Sequence, residues 1–136
     1  MELRPKGEGT PSPCRTRLWS LRYLDVAGKE GRSLLTETQY EHIRRQFLEM
    51  SAESDPRKSA LSDVRGIENY FELRDKGGVL GKLNVRVYFA VIERSKTIAV
   101  LGCYKKEAED KTPQYIKARM RNRLRFVLNE LMEKGC

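Results

Sequence analysis

Paired cysteines and histidines are missing from this sequence of 136 residues. The only histidine is His42, and the three cysteines, Cys14, Cys103 and Cys136, lie far apart and form no Cys-x-x-Cys pair. Structural zinc sites use four cysteine or histidine ligands, and catalytic sites draw most of their three protein ligands from the same residue types, so a zinc ion is not expected. Scattered thiols without partners are typical of proteins from a reducing compartment, which predicts a cytoplasmic location.

Long apolar runs are missing as well. No stretch approaches the ~20 apolar residues of a membrane span, and the N-terminus lacks the apolar region of a secretory signal. The sequence also contains no Gly-x-Ser-x-Gly, no His-Glu-x-x-His and no glycine-rich loop with nucleotide-binding spacing. We therefore expect neither a membrane partner nor a cofactor.

Positive charge is abundant. The chain has 27 lysines and arginines against 19 acidic residues, a net charge of +8, and its hydrophobic fraction of 39% is adequate for one core. A basic excess of this size favours polyanionic partners. Residues 1–17 mix proline and glycine with charges and are expected to form a disordered arm, and residues 18–136 are expected to form a single domain.

The first half of this domain carries signals for one strand and two helices. Aromatic and branched residues predict that residues 18–26 form a strand. Thr36 and Gln39 have capping-box spacing, and apolar residues then recur at helical intervals, so residues 37–50 are predicted to be a helix. The Asp55-Pro56 pair predicts the start of a second helix. Its apolar anchors would be Leu61 and Val64.

The second half reads as three strands and a helix. Apolar and polar residues alternate in residues 69–75, 83–92 and 97–105, with short polar turns between, which predicts an antiparallel meander. Thr112-Pro113 predicts the start of a C-terminal helix, with Thr112 as its N-cap. The fold class is therefore α+β, a small antiparallel sheet with two N-terminal helices and one C-terminal helix. The predicted core comprises Phe71, Leu73, Val85, Val87, Phe89, Leu101 and Leu124.

The same alternation places basic and phenolic groups on the other face of the sheet. Arg74 and Arg86 are predicted side by side on neighbouring strands, with Tyr104 at the end of the next strand. Such a row is compatible with an ordinary solvent-facing surface. The neighbouring Lys82, Lys105 and Lys106 favour a different interpretation, a site where cations converge on a phosphate.

This set of side chains matches the needs of RNA cleavage by transesterification. Arginine forks suit the charge on the phosphorane, and a lysine, Lys82 or Lys106, can act as the base or as a charge clamp. Tyr104 can serve as the acid or as a platform on which a base stacks. Metal-dependent chemistry is disfavoured, because Glu72 is the only carboxylate predicted on that face.

Basic side chains also accumulate around the C-terminal helix. At helical spacing they spread around the cylinder, and together they would steer the protein to RNA in a salt-sensitive way. The candidate RNA-binding residues are Lys105, Lys111, Lys117, Arg119, Arg121 and Arg123.

These pieces, in this order, resemble the RelE/HigB toxin superfamily, in particular its phage-derived Gp49-like branch. The matching segments are Phe71-Glu72-Leu73-Arg74, the glycine-rich turn, Val85-Arg86-Val87-Tyr88-Phe89, Gly102-x-Tyr104-Lys105-Lys106 and Lys111-Thr112-Pro113 with the helix that follows. The resemblance spans residues 19–123. The arm before Leu18 and the segment after Arg123 match no motif of the family.

The resemblance implies a β-α-α-β-β-β-α fold and a metal-independent endoribonuclease that enters the ribosome and cuts mRNA. It implies that Arg74 and Arg86 bind phosphate, and that Tyr104 and the lysines after it complete the site. It also implies a small cognate antitoxin as partner, and the net charge of +8 predicts that this partner is partly acidic. Two alternatives stay open, namely a relative that poisons DNA gyrase and a catalytically inactive RNA-binding module.

Overall fold

One sheet and three helices make up the part of the chain that a computed structural model describes, residues 17–58, 63–74, 84–106 and 112–133 without the side chains of Asp63 and Glu133. In chain order these elements are β1 (Ser20–Tyr23), α1 (Asp25–Leu34), α2 (Glu37–Met50), β2 (Asp63–Gly66), β3 (Phe71–Arg74), β4 (Val85–Ile92), β5 (Thr97–Lys105) and α3 (Gln114–Glu133). The predicted α+β class is confirmed.

The sheet has the strand order β1-β5-β4-β3-β2. Strands β2 to β5 pair antiparallel, which confirms the predicted meander, whereas β1 pairs parallel with β5. The sheet is therefore mixed. The parallel pair is possible because α1 and α2 carry the chain away from β1 before the meander begins. Strand β2 was not predicted.

Helix α2 begins and ends where the sequence predicts it. The Thr36 hydroxyl accepts a hydrogen bond from Gln39 N at 3.2 Å, and Thr36 N donates to Gln39 Oε1 at 3.0 Å, so the capping box is formed. The apolar side of the helix buries Ile43, Phe47 and Met50 against the sheet. Local sequence and tertiary packing thus agree on this element.

The first strand was predicted over residues 18–26, but β1 ends at Tyr23. Helix α1 replaces the second half of the predicted strand. Its two glycines, Gly28 and Gly31, are unfavourable inside a helix and hide the helical pattern. Gly31 is required by packing, because a Cβ there would lie 2.8 Å from Cε1 of Tyr40 on α2. Tertiary contact therefore overrides local propensity in this helix.

The helix predicted from Asp55 onward is wrong. Asp55 Oδ1 does accept a hydrogen bond from Arg57 N, but the turn it starts is a single 3-10 turn, Pro56–Lys58. One predicted anchor, Leu61, lies outside the described residues, and the other, Val64, belongs to β2. The two N-terminal helices are α1 and α2.

Helices cover both faces of the sheet. On one face, Phe89 of β4 meets Phe47 of α2 edge to face, with ring centroids 5.3 Å apart. On the other face, Tyr70 and Tyr88 lie beneath α3 together with Met120. The predicted core residues are buried, except that Phe71 is only partly so.

The second face, on which the sequence places basic and phenolic groups, is not an ordinary solvent-facing surface. Tyr70, Glu72 and Tyr88 are at most 1% exposed. The apolar stripe of α3 packs on them, so this face forms a second layer of the core. No helix in the described ranges has both the length and the apolar character of a membrane span.

Candidate functional site

Three side chains that the sequence predicts on one face form a row across β3, β4 and β5, at one end of these strands. Arg74 of β3 is the register partner of Arg86 on β4, and Arg86 is the register partner of Tyr104 on β5. Directly opposed residues of antiparallel strands point to the same face with Cβ atoms about 5 Å apart. The predicted juxtaposition of the two arginines is therefore confirmed.

The row lies next to the beginning of α3. The preceding row of the same face consists of Glu72, Tyr88 and Gly102, which lie beneath the first turns of α3. The row of Arg74, Arg86 and Tyr104 lies two residues further along each strand, on the same face. Helix and sheet therefore meet at this row, and the side chains of Arg74 and Arg86 keep 20% and 13% of their surface exposed.

Glu72 is the buried counter-ion of this cluster, and sequence reasoning missed that role. Its Oε2 accepts a hydrogen bond from Arg74 Nε at 2.7 Å and lies 3.2 Å from Arg86 Nε. Its Oε1 lies 3.7 Å from the ammonium group of Lys106. A buried carboxylate is costly unless it is paired and hydrogen-bonded, and these cations offset that cost.

A hydrogen-bond chain connects Glu72 with the start of α3. The Thr112 hydroxyl donates to Glu72 Oε1 at 3.1 Å and lies 3.0 Å from the Tyr88 hydroxyl. Because the single proton of Thr112 is directed at the carboxylate, the Tyr88 hydroxyl is the donor in the second bond. Burial raises the pKa of Tyr88 above its ordinary value, so this phenol keeps its proton at neutral pH.

Thr112 therefore has a role other than the one its motif predicts. Helix α3 begins at Gln114, and the carbonyl of Pro113 accepts hydrogen bonds from Ile116 N and Lys117 N. The Thr112 hydroxyl is directed into the sheet and fixes the segment before the helix to β3 and β4.

The two arginines are held differently. Arg74 Nε has a charge-assisted hydrogen bond to Glu72, whereas Arg86 Nε is buried and makes no hydrogen bond despite its 3.2 Å distance from the carboxylate. The angle at Arg86 Nε does not suit a hydrogen bond, so Coulomb attraction alone holds this group. Arg86 Nε thus lacks the hydrogen bond that fixes Arg74, although the Arg86 side chain is the more buried of the two.

The predicted lysines have different positions. Lys106 is 3% exposed and lies against Glu72, whereas Lys105 is exposed and belongs, by strand alternation, to the opposite face of the sheet. Lys82 and Lys111 lie outside the described residues. Lys106 is therefore the one lysine of this set that the described structure brings to the two arginines.

Tyr115, in the first turn of α3, completes the row, and it was not predicted. Its hydroxyl lies 3.2 Å from the Tyr104 hydroxyl, and the two rings meet at 89° with centroids 6.3 Å apart. The Arg119 guanidinium carbon lies 5.9 Å from the centre of the Tyr115 ring. The spacing from Thr112-Pro113 could have indicated that this tyrosine lies at the start of the helix.

The remaining candidate cations of α3 lie in ion pairs or beside the core. Arg121 binds both carboxylate oxygens of Glu68 at 2.9 and 3.1 Å. Arg123 binds Glu30 and the carbonyl of Leu101, each at 2.8 to 2.9 Å. The Lys117 carbonyl accepts a hydrogen bond from the Tyr70 hydroxyl at 3.4 Å, and the Lys117 side chain is half-buried. Arg119 is thus the member of this group that lies beside the row.

Within the described ranges, no three His, Cys, Asp or Glu side chains cluster so that they could hold a metal ion. The groups that the row does offer are two guanidiniums, a buried ammonium and two phenols. Guanidinium groups bind phosphate oxygens in a bidentate manner, and phenols donate protons or stack on bases. The chemistry on this face is thus that of a phosphate site with aromatic neighbours.

No family model matches the sequence, and no curated protein matches it either. Similar solved structures include a mutant of the E. coli toxin RelE in the free state, with a TM-score of 0.55 and 23% identity over 78% of this chain and 97% of that one. The intact E. coli RelBE toxin–antitoxin complex has a TM-score of 0.49 at 22% identity, covering 66% of this chain and 99% of that one. The RelE–RelB complex from Pyrococcus horikoshii OT3 has a TM-score of 0.48 at 18% identity, over 68% and 99% of the two chains.

The chain therefore has a RelE-like fold, which confirms the expectation from the sequence resemblance. At 23% identity this similarity concerns the arrangement of helices and strands. What the protein does follows from the chemistry of the site itself.

Proposed function

We propose that this chain is the toxin of a toxin–antitoxin pair, of the RelE/HigB type and its Gp49-like branch, and that it cuts mRNA on the ribosome. The observation that carries the proposal is the row of Arg74, Arg86 and Tyr104, joined in register at the start of α3. The RelE-like fold supports it, because toxins of toxin–antitoxin complexes are among the solved structures with this arrangement.

The proposed reaction is a transesterification at one phosphodiester. The ribose 2′-oxygen attacks phosphorus while a base takes its proton, and the bond to the 5′-oxygen breaks as an acid protonates that oxygen. The products are a 2′,3′-cyclic phosphate and a 5′-hydroxyl end. All atoms balance without metal or redox chemistry, and the developing charge is on the equatorial phosphorane oxygens.

Arg86 and Arg74 would bind those oxygens. Arg86 suits this role best, since its Nε makes no hydrogen bond and its side chain, next to the beginning of α3, keeps 13% of its surface exposed. Tyr104 would protonate or orient the leaving oxygen. Lys106, which lies against Glu72, fits a charge clamp better than a base, and Lys82 is the other candidate for the base.

The sharpest test of this assignment is Arg86→Ala in cells that express the protein from an inducible promoter. Translation and mRNA 5′-ends would be followed after induction, and Arg45→Ala, an arginine whose side chain is 76% exposed on α2, serves as the matched control. Loss of a donor to transition-state charge typically lowers turnover about 10²- to 10³-fold. We expect cleavage to disappear with Arg86→Ala and to persist with Arg45→Ala.

Other outcomes identify the alternative functions. Double-strand DNA breaks with intact mRNA would identify a gyrase poison, and harmless expression with salt-dependent RNA affinity would identify an inactive binding module. Full activity of Arg86→Ala would show that the site is assigned incorrectly. Thermal unfolding of the purified variants checks whether lost cleavage reflects a folding defect. We expect Arg86→Ala to fold, since Glu72 retains Arg74 and Lys106 as partners.

The proposed antitoxin would be a small, partly acidic protein encoded nearby. A chain with a net charge of +8 should associate with it quickly and in a salt-sensitive manner. Co-expression with the flanking reading frames, followed by pull-down at low and high salt, tests this. If nothing co-purifies and the chain alone is harmless, the toxin–antitoxin assignment is wrong.

A further inference from the structure

A buried nitrogen without a hydrogen bond lies in the middle of the arginine row. Within the described part of the chain, Arg86 Nε is closed off from solvent and makes no hydrogen bond, although Glu72 Oε2 lies only 3.2 Å away. A buried donor without a partner costs free energy. Rotation about the last torsion of a glutamate is soft, so an unrestrained carboxylate would turn to complete this bond. Another group must therefore hold the Glu72 carboxylate in its observed orientation.

The two oxygens of the Glu72 carboxylate have different partners. Oε2 accepts the hydrogen bond of Arg74 Nε at 2.7 Å, and Oε1 accepts the hydrogen bond of the Thr112 hydroxyl at 3.1 Å. The Lys106 ammonium group lies 3.7 Å from Oε1, so it attracts this oxygen from beyond hydrogen-bond distance. One hydrogen bond at each oxygen fixes the plane of the carboxylate, and Thr112 supplies the bond at Oε1.

Thr112 is itself held in place by the core. It is 6% exposed, and the Tyr88 hydroxyl donates to its oxygen, which leaves its single proton for Glu72. The ring of Pro113 fixes the backbone angle φ of the next residue, and the Pro113 carbonyl opens α3 by accepting a hydrogen bond from Ile116 N. Ile116 is 1% exposed and anchors this turn. The packing of α3 therefore sets where the Thr112 hydroxyl lies.

We propose that Thr112 is a positioning residue of the phosphate site, because its hydrogen bond stops the Glu72 carboxylate from turning to Arg86 and so leaves that guanidinium to bind phosphate. The proposal rests on the proposed function, which places the phosphate at Arg86. Thr112 does not touch the substrate and acts through Glu72. Without the hydroxyl, Oε1 loses a donor, and the carboxylate replaces the lost bond by turning to Arg86 Nε. A guanidinium that is hydrogen-bonded to its own counter-ion binds an external anion less tightly.

The test follows the Nε–H groups of Arg74 and Arg86 by proton–nitrogen NMR spectroscopy of the purified full chain, with inorganic phosphate as the probe. Arg86→Ala assigns the Arg86 signal by its loss. In the wild type we expect a downfield, hydrogen-bonded Arg74 proton and an Arg86 signal that moves when phosphate is added. In Thr112→Val the Arg86 proton should move downfield, and phosphate should bind about 2- to 10-fold more weakly, the equivalent of one net hydrogen bond.

Two control variants separate positioning from a general effect on stability. Thr112→Ser keeps the hydroxyl and should keep the wild-type Arg86 signal and phosphate affinity. Thr97→Val removes the hydroxyl of another buried threonine, which bonds to Ser95 at the opposite end of β5, and should change neither. Thr112→Ala removes the same donor and replaces Thr112→Val if the valine variant does not fold. A merely structural role of Thr112 would lower the unfolding temperature and leave the Arg86 signal in place.

An Arg86 signal that stays in place in Thr112→Val would overturn the proposal, as would unchanged phosphate affinity. A wild-type Arg86 signal that phosphate does not move, or a Thr112→Ser variant that behaves like Thr112→Val, would also contradict it.

Failure of the proposed function is recognised separately, because binding of inorganic phosphate needs neither ribosome nor mRNA. If mRNA stays intact in cells while Thr112→Val alters Arg86 as expected, the positioning role stands and the nuclease does not. If mRNA is cut while the Arg86 signal ignores Thr112→Val, the nuclease stands and the positioning role does not.

Discussion

At the scale of single residues, Glu72 is the most consequential side chain of the second sheet face. It is 1% exposed and faces Arg74, Arg86 and Lys106, so one buried carboxylate pairs with three cations. Breaking a buried pair by removing one partner typically costs about 3–5 kcal/mol, because the other charge stays buried without compensation. A buried carboxylate thus holds the row of arginines in place.

We expect Glu72→Ala to lower the free energy of unfolding by about 3–5 kcal/mol. The matched control is Glu68→Ala, which removes the partner of Arg121 from a half-exposed surface pair and should cost less than about 1 kcal/mol. Urea unfolding of both purified variants measures the difference. A loss for Glu72→Ala no larger than that for Glu68→Ala would mean that Glu72 does not organise the cluster.

Gly102 shows how closely α1 and α3 approach β5. A Cβ at this position would lie 2.6 Å from Cε of Met120 and 2.9 Å from Oε1 of Glu30, and it would also collide with Arg123. These side chains could move only by breaking the Glu30–Arg123 pair. Gly102 is therefore required by the approach of its neighbours.

Gly102→Ala should destabilise the protein by about 1–3 kcal/mol, the usual cost of overpacking. Gly66→Ala is the control, because its Cβ would make an ordinary contact 3.8 Å from Phe71. Thermal unfolding of the two variants provides the comparison. If the two variants unfold at the same temperature, the space around Gly102 is less restricted than the structure indicates.

At the scale of elements, α2 is the helix that local sequence determines most completely. Thr36→Ala removes the hydroxyl that caps Gln39 N, and the loss of such a cap costs about 1 kcal/mol. Thr38→Ala, an exposed residue of the first turn, should be nearly neutral. Equilibrium unfolding in urea checks this, and equal stabilities of the two variants would contradict it.

Helix α1 has a different role, since it finishes an incomplete strand pairing. Strand β1 ends at Tyr23, while β5 continues to Lys105. Past Val100, the last β5 residue that pairs with β1, Glu30 Oε1 accepts a hydrogen bond from Cys103 N at 3.0 Å. Arg123 of α3 binds both Glu30 and the Leu101 carbonyl. Side chains from two helices thus occupy backbone groups of β5 that have no strand on the β1 side.

At the scale of the whole molecule, several buried acids that are neutral at pH 7 couple folding to alkaline pH. Burial, together with Glu30, raises the pKa of Cys103 to about 12, burial raises the pKa of Tyr70 to about 12, and burial raises the pKa of Tyr88 as well. The unfolded chain loses these protons first, from about pH 9 for the thiol and pH 10 for the phenols. Between these values and pH 12 the native state holds more protons, so stability falls as pH rises.

We expect the free energy of unfolding to be flat between pH 7 and about pH 9 with respect to these groups and to fall above it. Each group contributes a slope of up to about 1.4 kcal/mol per pH unit. Cys103→Ala should move the onset from about pH 9 to about pH 10, where the tyrosines begin. Urea midpoints measured from about pH 7 to about pH 11 test this, and an unchanged onset in Cys103→Ala would rule out the thiol as its source.

Much of the fold could be predicted because it depends on local pattern. The capping box defined α2, and the alternation of apolar residues defined the three strands of the meander and the buried face with Leu73, Val87 and Phe89. The shared face of Arg74 and Arg86 followed from the same alternation, since a period of two holds wherever a strand is regular. The RelE-like arrangement followed from the order of these pieces.

What the sequence by itself determined, then, is which residues form the meander and which side of each strand a residue takes. Tertiary structure decided the rest. Whether the second face is open or covered depends on where α3 packs, and its arrival buried Glu72 and Tyr88 and brought Tyr115 to Tyr104. No local signal encodes these contacts, because each joins residues of different elements whose meeting depends on the packing of whole helices against the sheet.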